Sequence, residues 1–452
     1  MEVPIALLPR YPILVFLLNP MQAGQTELSY WEKCALSEAW DFVIVGAGVT
    51  GLNAALEIKR RNPRTKVLVL EARSLGTVAS TRNAGFLCLG SPSELLADYD
   101  NLGEDALINL LAAKWAGIQR TLYLLGGNAV GLRNVRGYEV LAMEKSPYSY
   151  SVPSHDAVIS GLPSLNAVFE SAADLALPFT PKRRQKGATR HKPLPTPYFG
   201  EWHPFRRGNT AHTSPWGPEA MGLIPMAWEG QINPFLLRES LLRYARNLGI
   251  RIQEGLEFVQ RDGQGLVVKP VVPMGKDVLQ NNFNSLNINA KYVIYATNAL
   301  TKDLQIDLSD SVIPQRGQMW ATAPLKAADI ARLNGNFHAD RGYLYARTHA
   351  GRLLLGGGRN QDFASEQTTE WSENQRISEY LKAYSVDVLG LAPDLEWESR
   401  WSGTMGFTQS GLPHCLVLQN GDWLVAGMNG MGMALGPEMG RRVACLALQV
   451  KA

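Results

Sequence analysis

The residues Phe42, Val43, Ile44 and Val45 in DFVIVGAG form an apolar run without polar alternation. Such a run predicts a strand covered on both faces, as in a parallel sheet. A helix from about Thr50 to Arg61 follows, and Pro63 in RRNPRTK stops it. KVLVLEA, from Lys66 to Ala72, predicts a second buried strand, so the segment reads as one βαβ unit.

No third βα repeat comes next. A loop, GTVASTRNAGFLCLGSPSEL, leads into helical sequence from Glu104 to Gly127, and GYEVLAM (Gly137 to Met143) predicts a strand of another sheet. Residues 176–217 break every pattern with proline, glycine and basic residues. They read either as a basic patch with interleaved aromatics for an anionic partner or as a solvated insertion, and the composition favours the insertion. Helical periodicity returns from Ile232 to Ile250 and stops at Gly249. RIQEGLEFVQRD, GLVVKPVV and KYVIYATNAL predict strands, and QMWATAPL, GYLYART and GRLLLGGG suggest an antiparallel sheet. Gln375 to Gly390 predicts a helix, and no internal repeat is evident. The chain closes with a strand at Trp423 to Ala426, a loop carrying Gly427, Gly430 and Gly432, and a last helix.

The glycine spacing adds chemistry to this outline. In G-A-G-V-T-G, Gly46 allows a tight turn, Gly48 lets backbone approach a pyrophosphate, and Gly51 lets helix and strand pack closely. The helix N-terminus offers free N–H groups and about half a positive charge to phosphates. Glu71 ends the next strand twenty residues after Gly51, where it can accept from adenosine ribose hydroxyls. The plain alternative is a chance glycine turn with a surface glutamate. A nicotinamide domain finishes its sheet locally, whereas a chain that returns at its C-terminus to close over the ligand suits FAD. In that case the helix starting near Gly432 would face the N1–C2=O edge of the isoalloxazine and stabilise its reduced, negative form. The alternative is a glycine-lined packing contact.

Composition narrows the picture only a little. The chain has 452 residues, 46% apolar and 19% charged, which is ordinary for a globular protein of two or three domains. A net charge of +3 is small against 44 basic and 41 acidic side chains and disfavours nucleic acid as a partner. Cys34, Cys88, Cys415 and Cys445 lie far apart without a C-x-x-C pair, and read as reduced thiols of a cytosolic protein. There is no H-E-x-x-H, and His191, His203 and His212 are loosely spaced, so no metal is expected. The N-terminal apolar stretch is interrupted by Pro4, Pro9, Pro12 and Pro20, and its longest run, Ile13 to Leu18, falls far short of the ~20 residues of a spanning helix. It also lacks the basic front and small-residue cleavage site of a signal peptide. Residues 1–40 are therefore expected to be a poorly ordered extension, with Met21 as a later candidate start. The expected location is cytoplasmic, with peripheral association at the inner membrane as the alternative.

Taken in order, VIVGAGVTGLNAAL, LEA, ASTRNAGF, EGQINPFLLRESLLRYARNLGIRIQEG, KYVIYATNA, PQRGQM, GRLLLGGG, RWSGTMGFTQSGLP and GMNGMGMALGPEMGR resemble the FAD-dependent D-amino-acid oxidase, glycine oxidase and sarcosine oxidase superfamily. The likeness covers most of Asp41 to Leu448 and is nearest to the γ-glutamylputrescine oxidase-like branch, where SYWE (Ser29 to Glu32) also recurs. It implies an α/β fold: a Rossmann-like FAD-binding domain with a second α+β substrate domain on an antiparallel sheet. The FAD-binding parts would be 41–130, 226–312 and 401–452. The substrate parts would be 131–225, with a basic insertion at 180–217, and 313–400.

The resemblance also implies a set of cofactor contacts. Gly46, Gly48, Gly51, Glu71 and Ala72 would hold the adenosine diphosphate end, with Val259 touching adenine through its backbone and Ala296 and Thr297 near the diphosphate. Ser80, Thr81, Arg82 and Asn83 would line the flavin or its diphosphate, although Arg82 is equally readable as a structural salt-bridge residue. Gly430, Met431, Gly432 and Met433 would meet the pyrimidine edge.

Departures from the family pattern matter. Glycine oxidase-like members carry an arginine in W-x-G-x-R-P that grips the substrate carboxylate. Here the segment is Trp401-Ser-Gly-Thr-Met405-Gly, and a second family arginine is also missing, with Gly430 nearby. Arg347 could take over, or it is simply a solvated strand end. The cysteine that tethers flavin in sarcosine oxidases would fall near Thr404 or Met405, so a non-covalent flavin is expected.

The implied reaction is oxidation of a C–N bond of an amine or substituted amino acid to an imine, with hydride passing to flavin N5 and electrons going on to oxygen or a quinone. Tyr343, Tyr345, Arg347, Trp401 and Met431 are the candidate pocket residues, each also readable as core. Two rivals share the fold: a tRNA wobble-uridine modification enzyme, motivated by the basic 182–207 stretch, and a non-catalytic flavin-binding protein.

Overall fold

The structure is a computed structural model that describes residues 30–31, 38–73, 78–149, 154–175, 198–201, 203–204, 216–263, 265–271 and 285–449. Most of the N-terminal extension, most of the basic 182–207 stretch, Cys34, His191 and His212 lie outside the described residues.

One sheet has the strand order His414–Val417, Trp423–Ala426, Leu286–Tyr295, Trp40–Val45, Val67–Glu71, Arg251–Glu254. All neighbours but the first pair are parallel, with Phe42 in register with both Tyr292 and Val67. The first strand explains its own unbroken apolar run. Phe42 and Ile44 enter a core under the helices, while Val43 and Val45 enter a second core on the opposite face. Both faces are dry, so no polar alternation survives. The hairpin Leu256–Asp262 and Gly265–Pro270 supplies the second cover, pairing antiparallel with the start of Leu286–Tyr295.

The second sheet runs Trp397–Phe407, Ile313–Thr322, Arg352–Gly357, Leu344–His349, Asn336–Ala339, Arg133–Ala142, Ala220–Gln231, Phe86–Leu87. It is antiparallel except where Asn336–Ala339 runs parallel to Arg133–Ala142. The sheet is therefore mixed, because a strand after residue 335 joins beside one laid down 200 positions earlier instead of returning by a hairpin. Together the two sheets give the α/β architecture of a Rossmann-like layer plus a second sheet layer.

The chain's two ends meet in this fold. The helix Val49–Arg61 lies against the last helix, Gly432–Gln449, with glycines at the crossing. A Cβ on Gly440 would sit 2.3 Å from the Thr50 carbonyl oxygen, and one on Gly436 would sit 2.8 Å from Thr50 Oγ1. Glycine allows that approach. The helix Glu104–Leu125 locks the pair further: Arg120 is fully buried, with Nη2 2.9 Å from Glu57 Oε2 and Nε donating to Asn53 Oδ1 at 3.0 Å. No helix among the described residues is long and apolar enough to cross a membrane.

Candidate functional site

The first strand ends at Val45, and the chain turns sharply before the helix. Gly46 takes φ +108°, and a Cβ there would lie 2.6 Å from the Ala296 carbonyl oxygen. A Cβ on Gly51 would come within 2.0 Å of Gly46 O, so the helix can start this close only with glycine. No side chain of Gly48, the helix N-cap, can satisfy the helix terminus. Ser80 Oγ accepts from Val49 N at 2.9 Å, and the buried Glu71 carboxylate accepts from Ala47 N at 3.0 Å and Arg73 N at 2.9 Å. Burial pushes the Glu71 carboxyl above the usual range, while those N–H groups pull it back.

This corner opens onto a cleft of about 290 Å³. Gly46, Gly48, Glu71, Ala72, Ser80, Asn83, Ala296, Thr297, Gly430, Gly432 and Met433 all line it. Gly51 does not line it but sets the turn from behind. Val259 is also off the cleft wall, which its neighbours Glu257 and Phe258 form beside a bulge in the strand. Thr81 is off the wall as well; its hydroxyl donates to Val78 O at 3.0 Å.

A second chamber of about 170 Å³ adjoins the cleft. Ala79, Asn83, Met405, Gly430 and Met433 line both, so the two spaces adjoin along a shared wall. Tyr343, Tyr345 and Met431 line the chamber, with Phe407 and Met319. Burial pushes the Tyr345 hydroxyl up to about 12, so it stays protonated at neutral pH. Arg82 also lines the chamber; its Nε donates to Ser402 O and its guanidinium lies 4.5 Å from the Trp371 ring centroid. Among the described residues Arg82 makes no ion pair, so the salt-bridge reading of it is replaced by a carbonyl and ring contact.

Two expected pocket residues face elsewhere. Arg347 is buried, and its Nη1 donates to the carbonyls of Ala84 (3.1 Å), Gly85 (2.9 Å) and Ile232 (2.9 Å). Burial lowers its pKa to about 10, and the side chain ties three backbone segments instead of reaching the chamber. Trp401 Nε1 donates to Arg82 O at 3.0 Å and supports the wall from behind.

Sequence reasoning missed other members. Arg359, directly after GRLLLGGG, lines the chamber, with its guanidinium carbon 4.7 Å from the Tyr343 ring centroid and 4.3 Å from that of Phe407. Asn298, at φ +49°, accepts through Oδ1 from Gly427 N (3.0 Å) and Met428 N (3.3 Å), which pins the C-terminal glycine corner to the central strand. Arg238 is buried and donates to Ala47 O at 3.3 Å under the first corner. The ATNA motif and the helix periodicity carried these residues but gave no sign of their partners.

A buried polar cluster reaches the chamber wall through Cys88 and His338. Glu229 accepts from Asn336 Nδ2 at 2.7 Å, and its Oε1 lies 3.0 Å from His338 Nε2. Cys88, Glu229 and His338 bring donor atoms within 4.8 Å of one another. Burial holds the Cys88 thiol far above its usual range, so it is neutral, and the Glu229 oxygens are already engaged. Hydrogen bonds to Asn336 and His338 hold Glu229 in place. Cys88, Cys415 and Cys445 form no disulfide.

The family model described as FAD dependent oxidoreductase matches residues 41–144 and 209–446. No curated protein matches the chain in sequence. Among solved structures, L-proline dehydrogenase from P. horikoshii superposes with TM-score 0.62 at 15% identity, over 92% of this chain and 95% of that one. Glycine oxidase from Geobacillus kaustophilus gives 0.57 at 19%, over 91% and 95%. L-alpha-glycerophosphate oxidase from Mycoplasma pneumoniae, solved with FAD bound, gives 0.58 at 15%, over 91% and 95%. These likenesses establish the shared fold.

Proposed function

We propose, from the premise that this chain belongs to the DAO family of FAD-dependent oxidoreductases, that it oxidises a C–N bond of an amine or substituted amino acid. The observation that carries this reading is the cleft at the first glycine corner adjoining, along a shared wall, the chamber of Tyr343, Tyr345, Met405 and Phe407. The cleft fits FAD. The glycine turn leaves backbone exposed where a Cβ would close it, Glu71 stands at the ribose end, and the last helix opens at the junction with the chamber. Gly46, Gly48 and the N-terminus of Val49–Arg61 would hold the pyrophosphate. Gly430, Gly432 and Met433 would meet the ring.

FAD, when bound, supplies a two-electron acceptor for the hydrogen on the carbon next to nitrogen. The protein's own share is positional and electrostatic. The aromatic and methionine walls exclude water, which lowers an amine pKa and leaves nitrogen neutral with its lone pair available. The N-terminus of Gly432–Gln449 favours negative charge at the junction. Two electrons and two protons leave the substrate, the carbon–nitrogen bond becomes an imine, and water then splits it to a carbonyl compound and an amine.

Within the family, our finer placement is the γ-glutamylputrescine oxidase-like branch, supported by the motif order and SYWE. A non-covalent flavin belongs to the same reading. Thr404 and Met405 line the cleft without a thiol, and Cys415 lies on a separate surface depression with Arg441 and Arg442. Acid precipitation should leave the flavin in the supernatant. The functional test is anaerobic mixing of the holoprotein with primary amines, secondary amines and amino acids. Bleaching of the flavin band by one class supports the reading, and readmitting air or a quinone analogue then identifies the acceptor. A band unmoved by every class contradicts it.

A further inference from the structure

Among the described residues, Cys88, Glu229 and His338 are the one group of three cysteine, histidine or acidic side chains whose donor atoms converge. Three separate segments of the second sheet deliver them. Glu229 lies on Ala220–Gln231 and His338 on Asn336–Ala339, with Arg133–Ala142 between the two. The Glu229 side chain reaches His338 across that middle strand because residue 137 is glycine. A Cβ there would sit 2.5 Å from Glu229 Cδ. Cys88 follows the short strand Phe86–Leu87, which pairs with Gln231 and Gly230, and so comes alongside Glu229 from the other side. No spacing rule finds such a set, because its members stand at residues 88, 229 and 338.

The donors have a shared chemistry. A thiol, an imidazole and a carboxylate suit a borderline-soft divalent ion such as Zn²⁺, whereas Mg²⁺ and Ca²⁺ take oxygen. Around tetrahedral Zn²⁺, with bonds of about 2.0–2.3 Å, neighbouring donor atoms stand roughly 3–4 Å apart. Glu229 Oε1 and His338 Nε2 are already 3.0 Å apart and all three donors lie within 4.8 Å, so a small side-chain rotation completes the set. The carboxylate is also held from behind. Asn336 Nδ2 donates to Glu229 Oε2 at 2.7 Å, and Asn336 Oδ1 accepts from Gln231 Nε2 at 3.0 Å. Outer hydrogen bonds of this kind orient a metal-ligating carboxylate. A divalent ion would displace the Cys88 proton and replace the proton between His338 and Glu229. Cys88 and His338 line the chamber, so a fourth position on the ion would face that space.

We propose that Cys88, Glu229 and His338 form a three-ligand Zn²⁺ site with its open position toward the chamber. The ion would tie the segment after Phe86–Leu87 to two strands of the second sheet. This assignment does not depend on the C–N oxidation reading.

The test uses tag-free, chelator-treated holoprotein with Co²⁺ and Zn²⁺ as probes. Wild type should bind one Co²⁺ per chain with the d–d bands of tetrahedral coordination, at longer wavelengths than oxidised flavin absorbs, and Zn²⁺ should displace it. Mg²⁺ at the same concentration should not. Zinc-edge X-ray absorption should show one sulfur at about 2.3 Å among nitrogen and oxygen at about 2.0–2.1 Å. The combined variant Cys34→Ser, Cys415→Ser, Cys445→Ser leaves Cys88 as the sole cysteine and should keep both signals. Cys88→Ser should lose the sulfur shell and about tenfold or more in Zn²⁺ affinity. The combined variant carries the test even if Cys88→Ser does not fold. Failure of wild type to bind Zn²⁺, a shell without sulfur, loss of the sulfur in the combined variant, or unchanged binding by Cys88→Ser would each overturn the assignment.

Discussion

The cleft at the glycine corners and the adjoining chamber share five wall residues yet are built by different means. The cleft is mostly backbone. Its shape comes from glycines at positions where a Cβ would collide with Ala296 O or Gly46 O, and from two helix N-termini. The chamber is mostly side chain, with aromatic rings and methionines from several strands of the mixed sheet and Arg359 from the turn after one of them. Backbone construction fixes the ligand by chain geometry and tolerates little change. Side-chain construction can be retuned one residue at a time without moving the fold.

The largest expected break between the two regions comes from Gly48→Leu. Its Cβ would enter 3.1 Å from Ser80 Oγ and point the side chain into the cleft. FAD affinity should drop by roughly 100-fold or more while the fold survives, because the new atoms fill ligand space and not core. Apoprotein titration with FAD and far-ultraviolet circular dichroism check both halves. Full FAD binding by this variant would show that the pyrophosphate lies elsewhere.

The next contrast sets one arginine against another. Arg347→Met removes the buried donor shared by the carbonyls of Ala84, Gly85 and Ile232, of which Gly85 keeps its bond from Ile232 N, and should cost about 2–4 kcal/mol in denaturant unfolding. Arg359→Met, which removes no internal hydrogen bond among the described residues, should cost far less. Equal losses would erase the distinction between a structural and a chamber-lining cation.

A third test concerns the buried acid behind the chamber. Glu139 accepts from Ser93 N at 2.9 Å and from the Ser93 hydroxyl, yet burial pushes its carboxyl up to about 7. A raised carboxyl stabilises the fold while protonated, below the unfolded value near 4.5, and that contribution is lost as pH rises through about 7. Glu139→Gln should therefore gain on wild type between about pH 4.5 and 7, by at most about 3 kcal/mol. A pH-independent difference between the two proteins would contradict the assignment.

How much of this was legible follows the same division. The cleft could be read because a glycine turn between a continuous apolar strand and a helix constrains local geometry, and Gly46, Gly48, Glu71 and Gly432 all fall on its wall. The helix His155–Leu175, with Pro163 inside it, and the long strand Trp397–Phe407 were not singled out as elements, since their patterns are set by tertiary packing. The chamber was read only in part. Tyr343 and Tyr345, two of the candidate pocket residues, line it. Arg347 lies in the strand Leu344–His349 and Arg359 just past the end of its neighbour Arg352–Gly357, and no spacing rule tells which guanidinium lines the chamber. Asn298 and Arg238 act on segments more than 100 residues away, which local pattern cannot report.

The smallest expected effect returns to the cleft. Ser80→Ala removes the acceptor of Val49 N–H, a cost of about 1 kcal/mol or several-fold in FAD affinity, with chamber ligands unaffected. Unchanged FAD affinity in this variant would contradict the placement of the pyrophosphate at the helix corner that Ser80 supports.

The most direct test of the whole account is a crystal structure of the holoprotein. The account predicts adenosine beside Glu71, the pyrophosphate over Gly46 and Gly48, and the isoalloxazine at Gly430 to Met433 with one face toward the chamber of Tyr343 and Tyr345. Density for FAD that leaves either glycine corner empty would contradict it.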